Sequence, residues 1–169
     1  MTEPQPPDPL WPRYSARPFP PYRYVPGKSP HPRRDPQGHA YGLAEPRPPA
    51  FPPEEWPRSE DYLYGIDLYN FAYWWECHEI FEALWHAVGH QTEQGNCFQA
   101  LIQIAAGNLK QSAGARQPAE RLWLSGLARL KQLPRVYMGV NVAGFTEEIT
   151  DYLNGSSGRP ALVRLQFEP

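Results

Sequence analysis

Apolar residues recur at helical spacing through the C-terminal two-thirds of the chain. The densest run covers 66–88. Stepped at about 100° per residue, Ile66, Tyr73, Trp74, Cys77, Ile80, Phe81, Leu84, Trp85 and Val88 occupy one half of a helix. This predicts a long, largely buried helix capped by Asp61 or Asp67 and ended by Gly89. A second helix is predicted over 96–112 from Phe98, Leu101, Ile102, Ile104, Ala105, Ala106 and Leu109. Gly107 within it suits a close approach of helices, and Gly114 ends it. Leu122, Trp123, Leu127, Leu130 and Leu133 predict a third over 118–133, with Pro118 in its first turn and Pro134 as its stop. A short fourth is expected from Thr146 as cap to Leu153, with Gly155 just beyond. Residues 161–167 alternate like a strand that lacks a partner, so an extended tail is expected.

Residues 1–60 follow neither period. They hold 18 of the 22 prolines, each of which fixes φ and removes a donor, so no ordinary helix or central strand forms there. Trp11, Tyr14, Phe19, Tyr22, Tyr24, Tyr41, Phe51 and Trp56 are more rings than a disordered tail carries, and they predict an arm laid on the core. The division expected is an arm at 1–60, a helical domain at 61–155 and an extended tail at 156–169. The fold class is all-α: a compact bundle of four to five helices with the proline-rich arm packed on it.

Charge adds an asymmetry. The net formal charge is −2, yet Arg13, Arg17, Arg23, Lys28, Arg33 and Arg34 come with no acid between Asp8 and Asp35. Acidic side chains outnumber basic ones in 61–169, so an internal partner for the arm is expected ahead of a nucleic acid. Cys77 and Cys97 make no disulfide framework, and both sit in helical patterns as small hydrophobes. No apolar run reaches membrane-spanning length and no secretory leader is recognisable, so a cytoplasmic protein without a membrane partner is expected.

The helix at 66–88 carries the candidate chemistry. His78, Glu79, Glu82 and His86 share a sector of about 100°, flanked by Trp75 and Phe71, on an otherwise apolar helix. Charges placed so are costly unless paired or coordinated. His78 and Glu82, one turn apart, can hold a divalent metal such as Zn or Mn, with His39, His31 or His86 as third ligand. Glu79 would then be the catalytic base of a hydrolase-like site, with Trp75, Gln99, Gln103, Arg33 and Arg34 available to bind a small molecule. The spelling departs from metalloprotease sites, which need a second histidine where Glu82 stands. A structural reading competes: Glu79 and Glu82 pair with Arg33 or Arg34, and His78 joins Gln99 or Gln103 in a buried network.

The run Trp75-Glu76-Cys77-His78-Glu79-Ile80-Phe81-Glu82-Ala83-Leu84-Trp85, followed by Phe98-Gln99-Ala100-Leu101-Ile102-Gln103, resembles the domain of unknown function 309 family over residues 66–133. Ala100 stands where glycine is frequent in that family. Segments 26–32 and 38–42 resemble an extension carried by some bacterial members. The resemblance implies an all-helical bundle, mainly bacterial company and a site centred on His78, Glu79 and Glu82. It implies no reaction. Two functions are therefore expected to compete: a small-molecule or metal-binding domain, hydrolase-like at its furthest, and a non-catalytic module whose arm recognises a protein or nucleic acid. Homo-oligomerisation stays open.

Overall fold

The computed structural model describes residues 3–168. After a 3-10 helix at Pro53–Arg58 come α1 (Glu60–Asn70), α2 (Trp74–Val88), α3 (Glu93–Ser112) and α4 (Arg116–Leu130). A two-residue hairpin, β1 (Val136–Tyr137) and β2 (Val140–Asn141), leads into α5 (Val142–Leu153). The architecture is the expected all-α bundle with the arm lying on it. No described helix is long and apolar enough to cross a membrane.

The single helix expected over 66–88 is two helices. Tyr73 N donates to Leu68 O (2.8 Å) and Ala72 N to Tyr69 O (3.2 Å), the paired bonds of a Schellman end. Ala72 takes the left-handed position at φ 67°, where glycine would normally signal a stop. The starts differ too. Ser59, accepting from Tyr62 N, caps α1 in place of Asp61 or Asp67. Thr92 caps α3, and Asn141 rather than Thr146 caps α5. The tail also gains a partner, since Leu165 bridges Val140 antiparallel and Gln166 N donates to Gly139 O.

Glycines let the helices close up. A Cβ on Gly65 of α1 would stand 2.6 Å from the Phe81 ring of α2. One on Gly107 of α3 would stand 2.5 Å from the Trp123 ring of α4, and one on Gly126 would meet Ile104 at 2.5 Å. Trp123, Tyr62, Tyr69, Phe81 and Phe98 fill the centre, each below 2 % exposed.

Helix α1 is the hub for both ends of the chain. Asp67 is fully buried and accepts from Arg13 Nε (2.8 Å), Tyr14 N (2.8 Å) and Ser15 N (2.9 Å). One turn on, Asn70 takes the tail as a strand would, its Oδ1 accepting from Val163 N and its Nδ2 donating to Val163 O. Tyr69 donates to Ala161 O at 2.7 Å. Arm and tail meet over it: Trp11 Nε1 donates to Val163 O and Leu165 N donates to the Tyr14 hydroxyl, each at 3.0 Å. Three of the arm's arginines are engaged along the way. Arg13 lies over Phe19, Arg17 over Tyr64 and Arg23 over Tyr73, each within 4.6 Å of the ring centre.

Candidate functional site

Helix α2 presents its polar side chains at two depths. The deeper ones hold the arm. Glu76 is buried, and its Oε2 accepts from Tyr24 N (2.9 Å) and faces His39 Nε2 (3.0 Å). Its other oxygen has no partner among the described residues. Glu79 meets Arg33 in a two-pronged pair: Nε to Oε2 at 2.6 Å and Nη2 to Oε1 at 3.2 Å. Arg33 Nη1 also donates to Leu43 O and Ala44 O, so one guanidinium ties the helix to two stretches of arm. The bond to Glu79 raises the guanidinium's pKa further.

The loop that delivers Arg33 is built by His31. Its Nδ1 accepts from Arg33 N (3.2 Å) and Arg34 N (3.3 Å), and its ring stands edge-on to Trp75. Tyr24 packs against both rings. Trp75 is therefore covered by the arm.

The shallower row stays open. His78 Nδ1 donates to Trp75 O (3.1 Å), and its Nε2 lies 3.3 Å from Glu82 Oε2. Glu82 Oε1 lies 3.9 Å from His86 Nε2, and His86 Nδ1 lies 2.7 Å from His90 Nε2. Residues 78, 82, 86 and 90 thus follow one another at four-residue steps. The side chains of His78 and Glu82 are 34 % and 46 % exposed, so their pairing is worth little. Beside the row, Glu45, Pro46, Glu79, Glu82, Ala83 and His86 line a cleft of about 300 Å³.

The expected site residues are divided accordingly. His78, Glu82 and His86 come together as a row. Among the described residues, no three His, Cys, Asp or Glu side chains gather to hold a metal. Of the suggested third ligands, His39 is turned to Glu76 and His31 to Trp75. Of the two arginines suggested for the stripe, Arg33 reaches Glu79, whereas Arg34 pairs with no carboxylate among the described residues. Gln99 lies in a separate cleft between α2, α3 and α4. Gln103 Oε1 is buried without a partner, and no hydrogen bond joins His78 to either glutamine among the described residues. Burial pushes the Cys77 thiol well above its ordinary pKa and the Cys97 thiol up to about 12, so neither is an active nucleophile.

Sequence reasoning passed over Glu76, Asp67 and Asn70 as anchors. A signal existed for two of them. Asp67 and Asn70 are the polar pair, three apart, in the otherwise apolar run from Tyr62 to Phe71. Such a pair inside a buried helix calls for partners from elsewhere in the chain.

Residues 62–122, from α1 to the middle of α4, match the family described as domain of unknown function (DUF309). The matched span contains the whole row from His78 to His90, and arm and tail lie outside it. No curated protein matches the chain.

Proposed function

We propose that this chain, a member of the domain of unknown function 309 family over residues 62–122, acts by binding rather than by catalysis. In this reading its His-Glu-x-x-Glu helix serves first as the rail that holds its own arm. The observation that carries the reading is the two-pronged Arg33–Glu79 pair. A general base needs a free oxygen aimed at the proton it abstracts. Both oxygens of Glu79 accept from one guanidinium, which the arm's carbonyls also hold. Trp75, the ring expected to wall a substrate, is packed beneath Tyr24 and His31. Arg13, Arg17, Arg23 and Arg33 are each paired internally, which takes four of the six cations in the arm's acid-free run from a nucleic acid.

Comparing Glu79→Gln with Arg33→Gln and the double variant tests this. A rail loses about 1–3 kcal/mol in each single variant, with coupling of about 1 kcal/mol or more between them. A catalytic carboxylate held against its environment would instead give a more stable Glu79→Gln protein. That gain would sink the reading.

One observation favours a second reading. His78, Glu82 and His86 are the open donors of the row, Glu82 and His86 lining the cleft at Glu45; they do not converge on one point, so Zn²⁺ or Mn²⁺ would have to turn these exposed side chains together to bind. Metal analysis of untagged protein decides it. A content below about a tenth of an equivalent, with no thermal shift on adding either ion, removes that reading.

A further inference from the structure

Beyond the rail, the far end of α2 turns into a second cleft. It encloses about 580 Å³, within the range of small-molecule sites, and lies where α2 ends, α3 begins and α4 ends. Its walls are polar. Arg129, Asn96, Gln99 and Gln132 line it together with Trp85 and His90.

Arg129 is its most informative member. Its Nη1 donates to Asn96 Oδ1 at 2.8 Å, and Asn96 Nδ2 donates back to Arg129 O at 3.1 Å. One asparagine thus fixes both the backbone and the guanidinium. No carboxylate lies within 4 Å of that guanidinium among the described residues, so its remaining N–H groups are held in place but unpaired with any acid. Opposite, the His90 ring stacks on Trp85 at 3.8 Å and 14°, making a flat wall. Trp85 Nε1 is shielded from solvent and has no acceptor among the described residues. Gln99 and Gln132 add amide donors.

These features share one complement. We infer that this cleft binds a small molecule through an oxyanion, a carboxylate or a phosphate, seated on Arg129. Guanidinium forks match both groups. Glu93, the carboxylate in the lining, limits the ligand to one anionic group and turns away extended polyanions. This site does not use the Arg33–Glu79 pair, so its failure leaves the reading of the rail intact.

Nuclear magnetic resonance titration of the full chain tests it, following the Trp85 indole and Asn96 amide signals. Sodium phosphate and sodium acetate are the two probes, at constant ionic strength set with sodium chloride. Saturable shifts with one or both are expected, and the probe that saturates identifies the oxyanion. Two variants accompany the wild type. Arg129→Gln removes the cation, and Gln132→Glu adds a negative charge without touching the Arg129–Asn96 pair. Each weakens binding by about tenfold or more while thermal unfolding is retained. Linear shifts with both probes, or saturation unchanged in either folded variant, overturn the inference.

Discussion

Replacing Asp67 with asparagine isolates the strongest contact between arm and core. The carboxylate is fully buried and accepts three hydrogen bonds, at 2.8, 2.8 and 2.9 Å, from Arg13 Nε, Tyr14 N and Ser15 N. Hydrogen bonds to a charged acceptor contribute about 1.5–3 kcal/mol each. Asparagine keeps one acceptor oxygen, so one amide bond survives. Its NH₂ replaces the oxygen that faced Arg13 and Ser15, setting donor against donor. Arg13 is 32 % exposed and recovers part of its loss in water. The net expectation is a loss of about 2–4 kcal/mol, or roughly 30-fold or more in the folding equilibrium. Urea unfolding followed by circular dichroism measures it, with limited tryptic proteolysis after Arg13 and Arg23 reporting whether the arm has lifted. Asp61→Asn is the control. Its partner Arg17 is 39 % exposed, and the loss there stays below about 1 kcal/mol. A change at Asp67 below about 0.5 kcal/mol, with proteolysis unaltered, would refute the anchor and the arithmetic together.

Gly107→Ala gains about 1 kcal/mol in helix propensity but puts a methyl against Trp123, whose ring has no room to yield; a net loss of about 1–2 kcal/mol in chemical denaturation is expected. Deleting residues 1–56 removes the partners of Asp67, Glu76 and Glu79 at once, so thermal and urea midpoints fall by the equivalent of about 3 kcal/mol or more, and unchanged midpoints would overturn the docking. At alkaline pH the buried thiols and phenols weaken the fold. The folded-state pKa of Cys97 is raised from 9 to about 12, so its contribution is complete below pH 9 and is lost as pH rises from 9 toward 12. The slope is about 1.4 kcal/mol per pH unit for that thiol, and Cys97→Ala flattens the stability curve measured between pH 9 and 11.

Helix periodicity carried the bundle because each helix buries a broad apolar face, and those faces are written locally. The break at residues 71–73 was hidden for an equally local reason. Ala72 occupies a left-handed position that alanine does not advertise, so the apolar run appeared continuous. The candidate row on α2 stood out as polar residues on an apolar helix. Its division into Glu76 and Glu79 below and His78, Glu82 and His86 above did not, because depth is set by an arm 37 to 52 residues distant in sequence. A proline-rich segment has no period from which its partners can be read. Only its acid-free run of arginines pointed toward core acids, and the Arg33–Glu79 pair was legible on that ground.

The meeting of Trp11 with Val163 orders the chain in time. A ribosome makes the arm first, at about 5–20 residues per second. Asp67 follows Arg13 by 54 residues, roughly 3–11 seconds later, and Val163 follows Trp11 by 152, roughly 8–30 seconds later. The arm must wait for its seat, and its prolines keep it from premature pairing meanwhile. The tail then works as a clasp. A nascent chain that stops short of residue 161 leaves Asn70 without its strand partner and Trp11 without its acceptor.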